Sequence, residues 1–445
     1  MIKISVISDD LTGANDCGGQ LVRYGLNVSV VVKEDSCEIN EQDVVIYNTD
    51  SRSIPGESAY ERVKKICEKI KNQPFDFIYK KIDSTMRGNI GEEVNAVFDV
   101  FSPDFVIIAP AFPQNGRKVI NGIHYLNGHK LEDTEVANDP KTPVKDSYIS
   151  RLIETQSNRR VEHLTLRELD QGFEYVVNKL SSCKQNQISY ITVDTYQESD
   201  LARLVEIIHH TNFSVVWAGS SGLINHLPKV YGLSEVDKAA PLLAQNKPVF
   251  LVIGSVSETG RNQLNYLLEH SNSVGLEMDS VKVLQDDDSK HMEVKRILHA
   301  AKAAFKLGIN VALYSSKKVN ETREIGGELG FTAVEISNNI SKVLGEIAAE
   351  IIQSNSVKNL FLTGGDTAQQ VFLQLNIHDF NLVDEVESGI PLGRVRTDKE
   401  VLIVTKAGNF GSKEVMLKSV FKLRGEEYDE ADYRNNYGRC SRSGS

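Results

Sequence analysis

Short apolar runs rich in Val, Ile and Tyr recur through the first half of the chain, at residues 2–8, 28–32, 44–48, 75–80, 105–109, 189–193 and 215–218. They are apolar throughout rather than alternating, which suits strands buried on both faces of a parallel sheet. Amphipathic stretches separate them. In residues 59–71, for example, Val63, Ile66, Cys67 and Ile70 fall on one helical face. The pattern restarts with strand-like runs at 248–254, 310–314, 359–363 and 400–405. Helical spacing covers 257–270, 290–307, 340–353 and 412–421. Strands alternating with helices predict an α/β fold of two domains, each with a mainly parallel sheet flanked by helices.

The polar stretch 232–247, which contains Pro241, separates the two series. The predicted division is a first domain at 1–235, a linker at 236–248, a second domain at 249–425 and a tail at 426–445. At 445 residues the chain is too long for one ordinary core, which agrees with two domains. The tail is polar, and residues 440–445 read as an expression scar outside the fold.

Composition narrows the function classes. With 40% apolar and 25% charged residues the chain has a globular mix. A net charge of −11 and the lack of a basic stripe argue against nucleic acid and anionic membranes. Five cysteines, Cys17, Cys37, Cys67, Cys183 and Cys440, form no Cys-x-x-Cys pair, so a reducing cytoplasm is expected rather than a disulfide framework or zinc site. No signal peptide is read at the start, and no run of about 18 apolar residues appears. The ten histidines form no metal-ligand spacing and read as structural or surface groups.

In open parallel sheets, ligands bind beyond the carboxyl ends of the strands, so the residues just after each strand matter most. The first run leads into Ser8-Asp9-Asp10-Leu11-Thr12-Gly13-Ala14-Asn15-Asp16. The third leads into Thr49-Asp50-Ser51-Arg52, and the fourth into Lys81-Ile82-Asp83-Ser84-Thr85-Met86-Arg87-Gly88. Residues 110–117, ending in Arg117, follow the fifth. Arg52, Lys81, Arg87 and Arg117 are candidate grips for a carboxylate. Asp9 or Asp10 is a candidate to orient or deprotonate a hydroxyl. Gly13 offers a backbone N–H to an anion at a helix start. Taken singly, an aspartate after a strand is an N-cap and a lone arginine a surface group; it is the convergence of four strand ends that points to function.

In the second half the strand ends are rich in glycine and hydroxyls: Gly254-Ser255-Val256-Ser257, Thr363-Gly364-Gly365-Asp366-Thr367-Ala368 and Lys406-Ala407-Gly408-Asn409-Phe410-Gly411-Ser412. Three such loops on separate strands of one sheet point to a nucleotide. Neither the P-loop nor the dinucleotide fingerprint is present. Asp366 is a candidate helix cap or Mg²⁺ ligand, and Lys406 a candidate phosphate contact or surface lysine.

The motifs at 9–16, 80–88, 364–368 and 406–411, in that order, resemble those of the four-carbon acid sugar kinase family. The resemblance spans about residues 2–423. It implies a sugar-acid domain followed by an ATP domain, with the active site in the cleft between them, and a kinase acting on the terminal hydroxyl of threonate, erythronate or 3-oxo-tetronate. It places Asp10, Arg52, Lys81 and Asp83 on the sugar acid, and Ser255, Gly364, Gly365, Thr367 and Gly408 at the site of ATP with its Mg²⁺; Ser84 and Arg87 are further candidates for the sugar acid, and Asp366, Asn409 and Gly411 for ATP, on the same loops. Asp10, Asp9 and Asp83 are the candidate catalytic bases. The stretch from Asp10 to Asp16 is more similar to threonate and erythronate kinases than to the oxo-tetronate kinases. The expected partners are a sugar acid and ATP, with a homodimer expected on base rates. Two other readings are a Mg²⁺-dependent sugar-phosphate phosphatase and a non-catalytic sensor of a sugar acid or nucleotide. Adjacent aspartates on an extended chain point to opposite sides, which counts against the phosphatase.

Overall fold

The computed structural model describes residues 2–32, 42–236, 247–355, 357–396 and 400–428. The chain divides into two compact units, Met1–Asp237 and Lys238–Ser445.

The first unit is built on β1 (Ile4–Ser8), β2 (Val28–Val31), β3 (Val44–Asn48), β4 (Phe77–Lys81) and β5 (Phe105–Ala109). A small antiparallel sheet follows, β6 (Arg117–Ile120), β7 (Ile123–Leu126) and β8 (His129–Lys130), and then β9 (Val161–Leu164), β10 (Tyr190–Val193) and β11 (Val215–Gly219). The eight main strands run parallel in the order β2-β3-β1-β4-β11-β5-β10-β9. Every residue of β1, β2, β3 and β5 is buried, as unbroken apolar runs demand. Helices α1 (Leu11–Val22), α2 (Gly56–Ile70) and α3 (Ile90–Phe101) cross over between strands. In α2 the residues facing inward are the stripe read from the sequence, Val63, Ile66, Cys67 and Ile70, together with Ala59.

The second unit contains β12 (Val249–Ile253), β13 (Ser273–Met278), β14 (Asn310–Ser315), β15 (Asn359–Thr363), β16 (Asp379–Glu387), β17 (Ile390–Arg396) and β18 (Glu400–Lys406). Their order is β13-β14-β12-β15-β18-β17-β16. The first five are parallel, and β17 runs antiparallel to both neighbours. This antiparallel hairpin, the edge strands β9 and β13, and the β6–β8 sheet were not expected from the sequence. Residues of β6, β7, β9, β13 and β16 are only partly covered or alternate in burial, so they carry charges and lack the unbroken apolar run used to find strands, and the buried run of β17 is broken by Pro391, Gly393 and Arg394.

In each sheet the strand order reverses at the unit's first strand. From β1 the chain winds through β2 and β3 on one side, then returns to β4 on the other. From β12 it winds through β13 and β14, then returns to β15. These reversals open the crevices where α/β sheets bind ligands. Cys17, Cys67 and Cys183 are buried free thiols, whereas Cys37, Cys440, the tail beyond 428 and most of the expected linker lie outside the described residues. Among the described residues no helix is long and apolar enough to cross a membrane.

Candidate functional site

At the first reversal, β1 leads into Asp9 and Asp10. Asp10 is the N-cap of α1, and its Oδ1 accepts the Gly13 N–H at 2.8 Å. The Gly13 N–H is therefore already paired with a carboxylate, not open to an incoming anion as the sequence suggested. Arg52, two residues into the left-handed turn at Asp50 that follows β3, reaches across to both aspartates. Its Nε and Nη2 donate to Asp9 at 2.7 and 3.1 Å, and its Nη1 and Nη2 donate to Asp10 at 2.6 and 2.8 Å. Asp83, from the loop after β4, stands 3.6 Å from Arg52 Nη2. The two adjacent aspartates therefore converge on one guanidinium. The chain bends from strand into helix there, so the opposite-sides argument for an extended chain does not apply.

Arg87 holds Asp83 through Nε and Nη2 at 2.9 and 3.1 Å, and Asp139 through Nη1 at 3.3 Å. The Thr85 hydroxyl also donates to Asp83. Met86, between them, is held at φ 61°, a strained conformation for that residue. Lys81 is buried, and its ammonium donates to the Ile82 carbonyl at 3.0 Å. Ser84 is buried in the same loop. Arg117 is buried, donates to the Asn115 carbonyl and feels the charges of Asp83 and Asp16.

Three aspartates that the sequence left equivalent differ here. Burial would raise Asp9, but Arg52 and then Lys80 outweigh it and hold the carboxyl below the usual aspartate range. Asp83 is held well below that range because Arg87 and Arg52 overcome the effect of burial. Asp10 goes the other way. Burial raises it, Arg52 opposes, and the neighbouring Asp9 adds to the rise. Asp10 is also the most exposed of the three, at 17% of its side chain against 3% for Asp9 and 10% for Asp83.

Sequence reading missed the layer beneath. Lys80 Nζ meets Glu93 Oε2 of α3 at 2.7 Å, with both side chains essentially inaccessible. Glu93 also accepts the Ser51 hydroxyl at 2.6 Å, which ties the Arg52 loop to α3. Asp16 accepts the Ser221 hydroxyl at 2.5 Å, and its burial pushes the carboxyl up to about 6. The signal available was a lysine inside a strand and a glutamate on the apolar face of a helix, both costly to bury unless paired. The histidines of this unit are structural or at the surface: His129, His209 and His210 are exposed. His124 is buried and held down to about 4 by desolvation, and His163 bonds Thr192 and Asp194.

At the second reversal the three glycine loops interlock. A Cβ on Gly254 would lie 1.8 Å from Thr367 Oγ1, and one on Gly408 would lie 2.4 Å from Ser255 Oγ. Gly364, at φ 99°, caps the helix Gly365–Gln374 in a conformation open to glycine, with the Ser255 amide beside it. The cap is thus Gly364 and not Asp366, which sits exposed in the first turn. Ser257 caps the helix Glu258–His270 and also donates to the Gly408 carbonyl at 2.9 Å. Lys406 is neither at the surface nor extended toward solvent. It is 1% exposed and bonds the carbonyls of its own loop. Asn409 and Gly411 lie on that loop, Gly411 at φ 85°.

The fold and the two strand-end clusters define an α/β protein with one acid- and guanidinium-rich unit and one glycine-looped unit. Residues 4–227 match the sugar-binding N-terminal domain family, and residues 250–416 match the nucleotide-binding C-terminal domain family. The chain is 30% identical to a D-threonate kinase of Salmonella typhimurium, over 95% of this chain and 98% of that one. It is 29% identical to a D-erythronate kinase of Heliobacterium modesticaldum (93% and 95% covered) and 27% identical to a 3-oxo-tetronate kinase of Pseudomonas savastanoi (95% and 97%). Crystal structures of proteins from Salmonella typhimurium and Haemophilus influenzae share the fold, with TM-scores of 0.77 and 0.68, 23% identity each, 94% of this chain covered by each, and 99% and 100% of theirs. The chain belongs to the four-carbon acid sugar kinase family.

Proposed function

We propose that this protein transfers the γ-phosphoryl group of ATP to the terminal (4-) hydroxyl of a four-carbon sugar acid, with D-threonate or D-erythronate favoured over 3-oxo-tetronate. The observation that carries the reading is Asp10. It is the most exposed of Asp9, Asp10 and Asp83 and the only one of the three whose pKa is raised. A base poised above its neighbours is what a hydroxyl-activating carboxylate requires. Asp9 and Asp83, held ionised by arginines, set the field and position the loops. Substrate preference rests on relatives named for threonate and erythronate and on the residues from Asp10 to Asp16.

In this reading the substrate carboxylate meets the cationic group of Arg52, Lys81 and Arg87. Arg52 and Arg87 already hold aspartates. The Lys81 ammonium has three donors, and one is used on Ile82. Lys81 is therefore the cation with capacity to spare, and Ser84 lies on the same loop. Asp10 accepts the hydroxyl proton late in a loose transfer whose charge sits on the phosphoryl oxygens. Ser255, Gly364, Gly365, Thr367, Gly408, Asn409 and Gly411 receive the nucleotide.

Magnesium in kinases takes one or two carboxylates plus phosphate oxygens and keeps several waters. Among the described residues no group of three or more acidic, histidine or cysteine side chains stands ready for a metal, but that donor chemistry does not need one. Asp366, exposed beside Gly364 and Gly365, fits as the carboxylate. When bound, the ion neutralises charge on the phosphates.

The test is ADP release with Mg²⁺, ATP and a panel of D- and L-threonate, D- and L-erythronate and 3-oxo-tetronate, with mass analysis of the product. ADP formed with one acid, and a product heavier by one phosphoryl group, supports the reading. No ADP with any acid from a protein that binds ATP removes the substrate assignment; no ATP binding removes the kinase reading.

A further inference from the structure

Lys406 ends β18 inside the second unit, and its ammonium bonds carbonyl oxygens only: Ala407 at 2.7 Å, Gly408 at 2.8 Å and Phe410 at 3.1 Å. We propose, resting on the nucleotide reading of this loop, that Lys406 is a positioning residue. It draws three loop carbonyls inward and thereby turns the N–H groups of Gly408, Asn409 and Gly411 outward to the nucleotide phosphates.

In a trans peptide the C=O and the following N–H point in opposite directions, and among the described residues no peptide is cis. Pulling the carbonyls of Ala407, Gly408 and Phe410 toward one ammonium therefore sends the next three N–H groups away from it. Those belong to Gly408, Asn409 and Gly411, and none has a hydrogen-bond partner among the described residues. The intervening Phe410 N–H is used inside the turn, on the Ala407 carbonyl. Clustered outward N–H groups form an anion-binding concavity.

Three further features agree. An ammonium supplies three donors from one point, which suits a small ring of carbonyls, whereas a planar guanidinium does not. Gln263 grips the same loop from the helix Glu258–His270, donating to the Phe410, Gly411 and Ser412 carbonyls at 2.9, 3.1 and 3.0 Å. A buried cation bound only to carbonyls is costly unless an anion shares its field. Burial lowers this lysine to about 7 against the opposing charge of Glu387, which holds Ser412 at the end of the same loop, and a polyphosphate above the loop would add to that charge and favour the charged form.

The experiment compares wild type, K406M and Q263L by calorimetric binding of Mg-ADP and by steady-state kinetics with ATP and the accepted sugar acid. K406M keeps the side-chain length and removes every donor. Its ADP affinity should fall by about 100-fold and its KM for ATP rise in parallel, since charge-assisted bonds are the strong ones. Its KM for the sugar acid and its kcat at saturating ATP should stay near wild type, a split that general damage to the fold would not give. Q263L should lose about tenfold in ADP affinity. If K406M does not fold, Q263L decides, and unchanged ADP affinity in it overturns the clamp. Equal ADP affinity in folded K406M and wild type also overturns it. A wild type that binds no ADP overturns the nucleotide reading itself, and the clamp with it.

Discussion

Replacing Arg52 with methionine leaves three carboxylates crowded at the end of β1 with their shared cation gone. Arg52 makes four hydrogen bonds of 2.6–3.1 Å to Asp9 and Asp10 from a side chain only 13% exposed. Removing one partner from such a buried cluster costs about 3–5 kcal/mol. With a urea slope of about 2 kcal/mol/M, the midpoint should fall by roughly 2 M. The chain has a single tryptophan, Trp217, 4% exposed on β11 next to β4, so its fluorescence reports unfolding of the first unit alone.

The pH dependence has a definite sign. In the native protein Arg52 holds Asp9 below its usual value, and Arg87 and Arg52 do the same for Asp83. Their contribution is present above an unfolded pKa of about 3.9 and lost only as pH falls through the lower folded values. Without Arg52, burial and mutual repulsion raise Asp9 and Asp10. A raised carboxyl has its full relative stability below the unfolded pKa and loses it as pH rises through the folded one. The gap in midpoint between wild type and Arg52→Met should therefore be widest near pH 8 and narrow toward pH 5. An unchanged midpoint, or a gap that widens on acidification, would refute the assignment of Arg52 as the counter-ion of this cluster.

Asp10→Asn should lower turnover by about 10²-fold or more while Trp217 unfolding stays close to wild type; near-normal turnover excludes Asp10 as the base. Gly408→Val places its Cβ 2.4 Å from Ser255 Oγ, so Mg-ADP binding should vanish with the first unit's unfolding unaffected, and retained ADP affinity would count against the loop. Lys80→Met and Glu93→Leu should each cost about 3–5 kcal/mol, because each strands a buried charge. The double variant should be more stable than either single one by urea titration, and simple addition of the two losses would rule out a buried ion pair.

Much of the fold follows from local pattern. Unbroken apolar runs such as Val-Val-Ile-Tyr-Asn at β3 specify strands buried on both faces, because only a covered parallel sheet hides both sides. The spacing of Val63, Ile66, Cys67 and Ile70 specifies the inward face of α2. The candidate sites were legible for the same reason: a residue just after a buried strand has to emerge at the sheet's carboxyl edge. The four family motifs, read in order, likewise place the chain in the four-carbon acid sugar kinase family.

Contacts between residues distant in sequence were not legible. Sequence made Asp9, Asp10 and Asp83 equivalent; they were separated by the reach of Arg52 across 42 and 43 residues and by the grip of Arg87 on Asp83. It offered Gly13 as an anion donor, and the Asp10 side chain had taken that N–H. Lys406 read as a phosphate contact or a surface lysine, yet it is buried against three carbonyls of its own loop. The Lys80–Glu93 pair also went unseen, since no local rule tells a lysine in a strand which helix will supply its carboxylate. Periodicity fixes which side of an element is covered, because that depends on neighbours along the chain. A side chain's partner and its charge depend on which strand ends the sheet order brings together, and only the folded chain decides that.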